Sequence, residues 1–104
     1  MAFQVGSALL EACVLAIVKN EDVYGYTLTQ RMKEAFDVSE STFYPILRRL
    51  QKDGFLETYD VLYSGRLRRY YRITKLGLSK HEEYWHEWCS FKDNIDNIMT
   101  GGHK

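Results

Sequence analysis

The sequence predicts a mainly α fold with a small β-hairpin and a long C-terminal helix. Three observations predict it. Apolar residues recur at helical spacing in three short segments between Val5 and Leu50. The stretch from Phe55 to Thr74 alternates, is rich in Tyr, Val, Ile and Thr, and is broken once by Ser64-Gly65, which is hairpin chemistry. After Thr74 the helical spacing returns and is sustained for about 26 residues.

The first helix is "VGSALLEACVLAIVKN", with Val5, Leu9, Leu10, Cys13, Val14 and Ile17 at helical intervals. Asn20, Glu21 and Asp22 form a polar turn. "YGYTLTQRMKEAF" is a second short helix with Leu28, Met32, Ala35 and Phe36 on one face. In "SESTFYPILRRLQKDGF", Phe43, Ile46, Leu47 and Leu50 fall at i, i+3, i+4 and i+7, so they make the buried stripe of a third helix. Ser39, Ser41 or Thr42 supplies its N-cap. Pro45 is tolerated near a helix start and costly deeper, so it sits near the N-terminus or kinks the helix slightly. Gly54 ends the helix in a Schellman-type stop, with Phe55 folding back on Leu50. The hairpin that follows is marginal alone and must lie against the helices. Thr74 caps the last helix. Three small helices, a hairpin and a long helix make a winged helix-turn-helix extended at its C-terminus.

The totals agree with one small domain. The chain has 104 residues, 45% hydrophobic and 27% charged. No apolar run approaches about 18 residues, so no membrane partner is expected. The opening apolar run lacks a basic segment before it and reads as a mature helix. Cys13 and Cys89 have no framework spacing and read as two reduced thiols of a cytoplasmic protein. The net charge is zero, but its distribution is uneven. Residues 41–74 hold seven Lys/Arg against three Asp/Glu, net +4, whereas residues 1–40 are net −3 and residues 75–104 net −1. Screening limits the reach of charge to about 8–10 Å, so this local excess matters more than the total.

That excess lies on two elements. On the third helix the side opposite the buried stripe carries Ser41, Pro45, Arg48 and Lys52, flanked by Tyr44 and Arg49. Short polar residues at a helix start approach base edges, and Arg48 has the geometry to chelate a guanine edge or a phosphate. A solvated charged face is the plainer reading of the helix alone. In the hairpin, Arg66, Arg68, Arg69 and Arg72 lie within seven residues, interleaved with Tyr70 and Tyr71. Arginines on such a wing lie along phosphates or enter the minor groove. Basic residues also guard sheet edges, but four arginines exceed that need. Alternation sends Arg69 to the face opposite Arg68 and Arg72, where Glu57, Asp60 or Asp53 is a candidate partner.

"VYGYTLTQRMKEAF", "SESTFYPILRRLQKDGFLE" and "GRLRRYYRITKLG" resemble the hallmark segments of PadR-type transcriptional regulators, over residues 23–77. The resemblance implies a bacterial dimeric regulator, usually a repressor, that binds a double-stranded DNA operator. It places Ser41, Thr42, Tyr44 and Arg48 in the reading helix and Arg66, Arg68 and Arg69 in the wing, with dimerisation through the C-terminal helix. The chain looks like the short-tailed group, with one C-terminal helix. It departs from the pattern before Gly77, where Lys75 and Leu76 replace an acidic pair, which puts local capping in question.

The sequence thus divides into a DNA-binding winged helix-turn-helix, residues 1–74, and a dimerisation helix and tail, residues 75–104. In the tail, Trp85, Trp88, Ile95 and Met99 approximate a heptad stripe interrupted at Lys92, and Tyr84, Phe91, Ile95 and Ile98 form a neighbouring one. Two stripes exceed what one small core needs, so one faces a second copy of the chain. Trp88 matches the position where some PadR-type multidrug regulators hold a tryptophan at the dimer centre. There the resemblance implies a pore that sandwiches planar aromatic molecules, with Ala8 and Ala12 leaving room beside it. The alternative is that Trp88 simply fills the dimer core. His81, His86, Cys89 and Asp93 share one helix, but no second motif completes a metal set. No nucleophile elbow or phosphate loop is present, so no metal, no cofactor and no enzyme activity are expected. The competing functions are a protein–protein interaction module built on the same winged helix, and a regulator with no small-molecule effector.

Overall fold

The computed structural model describes residue 3 and residues 5–102. Residues 1, 2, 4, 103 and 104 lie outside the described residues. The elements are α1 (Ser7–Asn20), β1 (Val23–Tyr24), α2 (Gly25–Phe36), α3 (Glu40–Lys52), β2 (Leu56–Tyr63), β3 (Arg66–Ile73) and α4 (Lys75–Met99). The fold is the winged helix-turn-helix with a long terminal helix that the sequence predicts. The hairpin differs in one respect: β1 joins it to make a three-stranded antiparallel sheet in the order β1-β3-β2. Val23 pairs with Tyr71 and Tyr24 with Tyr70. Two residues have no period to read, so β1 left no trace in the sequence pattern.

The core gathers Leu10, Val14, Leu15 and Val18 of α1, Leu28 and Met32 of α2, Phe43, Ile46, Leu47 and Leu50 of α3, and Leu56 of β2. Burying each such side chain contributes roughly 1.5–3 kcal/mol. The four α3 residues are the stripe expected from spacing. On α2 the stripe is shifted: Ala35 is exposed, and Thr29 is buried with its hydroxyl donating to the Gly25 carbonyl at 2.9 Å. On α1, Leu9 and Cys13 are only half-buried and turn toward α4, so α1 is apolar on two sides because it is sandwiched.

The caps hold α3 in place. Ser39 is the N-cap of α3 and accepts from the Thr42 N–H at 3.3 Å. At the other end Phe55 N–H donates to Leu50 O at 2.9 Å and Gly54 N–H to Gln51 O at 3.1 Å, the Schellman pair, with Gly54 at φ 83°. Pro45 lies in the second turn of α3, not the first. It leaves the Ser41 carbonyl without its helical donor, at a position where water reaches it. Between β2 and β3, Ser64 (φ 51°) and Gly65 (φ 79°) are both left-handed, the geometry of a tight hairpin turn whose twist matches the strands.

Candidate nucleic-acid interface

The α3 stripe faces the core, so its rotation is fixed and the opposite side is free. Ser41, Tyr44, Arg48 and Lys52 are exposed there, with Pro45 half-buried among them. At about 100° per residue these five fall within roughly one third of the helix circumference. Thr42 is also exposed, but it lies on the flank, where its hydroxyl accepts from Ser39 at 3.1 Å. Ser41 shares a hydrogen bond of 3.1 Å with the same Ser39 hydroxyl.

Arg49 departs from expectation. One residue beyond Arg48, it points about 100° away, toward α1. Its Nε donates to Glu11 Oε2 at 2.9 Å, and a second guanidinium nitrogen bonds the same oxygen. Glu11 holds the Arg49 pKa above its usual value, by hydrogen bond and by charge. Arg49 therefore belongs to the α1 contact rather than to the free face of α3. Glu11 is the lone charge between Ser7 and Val18, and a carboxylate inside an apolar run needs a partner. That signal was in the sequence.

The wing arginines divide by strand alternation. Arg66, Arg68 and Arg72 share the outer face of β3 with Tyr70, while Arg69 shares the inner face with Tyr71. Arg72 donates from Nε to Glu57 at 2.8 Å, and Arg69 sits 3.7 Å from Asp60 directly across the ladder. Arg68 is held between rings, its guanidinium carbon 3.8 Å from the Tyr63 centroid and 4.7 Å from Tyr24. Each such contact contributes about 0.5–2 kcal/mol. A tyrosine ladder continues the surface: Tyr24–Tyr70 at 5.8 Å, then Tyr59 stacked on Tyr70 at 5.7 Å. The Tyr59 hydroxyl donates to Asp22 at 2.6 Å, which with burial raises its pKa. The Tyr24 contacts were not visible in the sequence, because they need β1 beside β3, whereas the Tyr63 and Tyr59 contacts lie within the hairpin itself.

Among the described residues, Arg48, Lys52, Arg66 and Arg68 have no carboxylate partner within ion-pair distance. They are spread over the free side of α3 and the wing. Burial raises the pKa of Tyr71 on β3; its hydroxyl also feels Arg69 and, across the gap, Tyr44 of α3. α3 packs against β2 of the hairpin, so helix and wing are neighbours, and each carries cations without an ion-pair partner among the described residues.

A second feature lies away from this surface. α1 and α4 leave an apolar trough, divided into two clefts of about 310 and 320 Å³. Leu9, Ala12, Tyr84 and Trp88 line both; His81 and Trp85 line the first, Ala8 and Phe91 the second. The expected set of Trp88, Trp85, Ala8 and Ala12 is brought together here. Ile95 and Met99 are not: they stand further along α4, exposed. Tyr84, whose pKa is raised by burial and by a hydrogen bond to Glu11, was not anticipated as a wall of the trough. Among the described residues no helix is long and apolar enough to cross a membrane.

Comparison with known proteins agrees with this architecture. Residues 14–83 match the model of the transcriptional regulator PadR-like family. The smu.1704 protein of Streptococcus mutans superposes with a TM-score of 0.91 at 40% identity, covering 100% of both chains. A PadR-like transcriptional regulator of Bacillus cereus superposes with a TM-score of 0.81 at 36% identity, over 90% of this chain and 94% of that one. A transcriptional regulator of Mycobacterium tuberculosis is 38% identical over 65 residues, 62% of this chain and 61% of that relative. The chain belongs to the PadR-like family of DNA-binding transcriptional regulators.

Proposed function

We propose that the protein is a homodimeric, sequence-specific transcriptional repressor of the cytoplasm, released from its operator by a planar aromatic molecule seated beside Trp88. The observation that carries the DNA reading is the unneutralised set Arg48, Lys52, Arg66 and Arg68 on α3 and the wing. Ser41, Tyr44 and Arg48 meet base edges in the major groove, Lys52 meets backbone, and the wing lies along phosphates. Two copies joined through α4 place two reading helices at a separation near ~34 Å, one turn of DNA. Thr42 supports the helix start, and Arg69 reaches phosphate only by leaving Asp60.

Selection of bound sequences from random duplexes, followed by titration at several salt concentrations, tests this. Arg48→Ala is expected to weaken the selected site by about five- to 150-fold, the 1–3 kcal/mol of one base contact, and to relax preference at one position. A combined Arg66, Arg68, Arg69→Ala change is expected to weaken all sequences alike and to flatten the dependence on salt by about one per lost phosphate contact. Unchanged affinity in both variants overturns the assignment.

A regulator without an effector is the second reading. It is favoured by the Trp88 indole, half-buried and 6.4 Å from the Phe91 ring, as a core residue of a dimer would be. Quenching of tryptophan fluorescence by planar dyes, lost in Trp88→Ala, supports the effector; no quenching in the wild type supports the second reading.

A further inference from the structure

Glu11 joins two helices that the proposed function assigns to different tasks. Its side chain is 13% exposed. One oxygen, Oε2, accepts from Arg49 of α3 at 2.9 Å. The other, Oε1, accepts from the Tyr84 hydroxyl of α4 at 2.8 Å. The reading helix and the terminal helix are therefore pinned to the same carboxylate, one to each oxygen. Both oxygens are engaged, the Arg49 side chain remains 45% exposed, and charge-assisted hydrogen bonds of this kind are stronger than neutral ones. Arg49 adds two nitrogens on one oxygen, which orients the guanidinium as well as anchoring it.

We propose that Glu11 is a positioning residue that fixes the angle between α3 and α4, and through it the half-site spacing that the dimer accepts on DNA. The inference rests on the dimeric DNA-binding reading given above. α4 sets where the second subunit lies, and α3 is what each subunit inserts. Any rotation of α3 against α4 is doubled by the two-fold axis and appears as a change in the separation of the two reading helices. A link that is merely structural lowers stability and leaves that separation alone. A positioning link changes which separations are bound.

The test uses the full chain and duplexes carrying two copies of the selected half-site, their centres moved apart one base pair at a time. Wild type is expected to lose at least tenfold in affinity one base pair from its optimum. Tyr84→Phe, which removes one hydroxyl and keeps the ring, and Glu11→Gln are expected to flatten that loss to threefold or less, or to move the optimum. Val18→Ala, a buried core change remote from the link, is expected to lower the melting temperature and keep the wild-type profile. A sharp wild-type profile retained in Tyr84→Phe and in Glu11→Gln overturns the role of Glu11 alone. Should Glu11→Gln not fold, Tyr84→Phe decides by itself. A wild type indifferent to spacing, or unable to bind DNA, overturns the dimeric reading and this inference with it.

Discussion

His81 stands where α4 meets α1, with its Nδ1 buried and without a hydrogen-bond partner among the described residues. Desolvation lowers its pKa from 6.5, nearby Lys19 lowers it further, and Glu82 opposes both. A folded state that depresses a histidine pKa favours the neutral ring. Above pH 6.5 the ring is neutral in both states and the stabilising effect is complete; as pH falls from 6.5 through the folded-state pKa, the unfolded chain takes the proton first and stability is lost. Denaturant unfolding at a series of pH values is expected to show this decline setting in below pH 6.5, and a flatter profile for His81→Gln. An identical slope in the variant would refute it. Single residues were unevenly legible in the sequence. Arg48 and Lys52 follow from helix rotation alone. The Tyr24 side of the cage around Arg68 depends on β1 lying beside β3, and no local pattern encodes that. Arg49 sat on the boundary of its face, where rotation alone does not decide between solvent and α1.

Helices and hairpin were legible as elements because each repeats a period over eight residues or more. The junction between the hairpin and α4 was less so. The loss of an acidic pair before Gly77 raised a question about capping, and the answer is that Thr74 supplies it. The Thr74 hydroxyl accepts from Gly77 N–H at 3.0 Å and donates to the Gly54 carbonyl at 2.6 Å, tying the start of α4 to the end of α3. Gly77 has a different job from a turn glycine. A Cβ there would stand 2.1 Å from the Phe55 carbonyl oxygen and 2.7 Å from Ile73. The helix packs so closely on the sheet that only hydrogen fits. Gly77→Ala gains helix propensity of about 1 kcal/mol and loses more by forcing α4 off the sheet. Thermal unfolding is expected to place the variant about 2–3 kcal/mol below wild type. A neutral or stabilising effect would mean that the junction yields.

At the scale of the molecule, one face of α4 changes its surroundings along its length. Gly77, His81, Tyr84 and Trp88 step by four, three and four residues, and the last three line the trough against α1. The same seam continues through Phe91, Ile95 and Ile98 at spacings of three, four and three. α1 reaches as far as Phe91 through Ala8 and then ends. Beyond it Ile95, Ile98 and Met99 are exposed, Ile98 at 78%, on a helix that stretches the chain to 59 Å in its longest dimension against 20 Å in its shortest. The two stripes read from the sequence are one continuous seam and its margin; which half the chain covers for itself depends on the length of α1, and spacing within α4 carries no record of that. In the proposed dimer, an equivalent seam from a second copy covers the exposed half, which is how a two-fold pair of helices buries such a surface. Charge placed on the uncovered half attacks the pairing and leaves the subunit's core untouched. Ile95→Glu with Ile98→Glu is therefore expected to give a monomer by analytical ultracentrifugation, with helix content and cooperative unfolding retained, and to lower operator affinity at least tenfold, since each reading helix then binds alone. A double variant that sediments as wild type would show that the partner covers some other face.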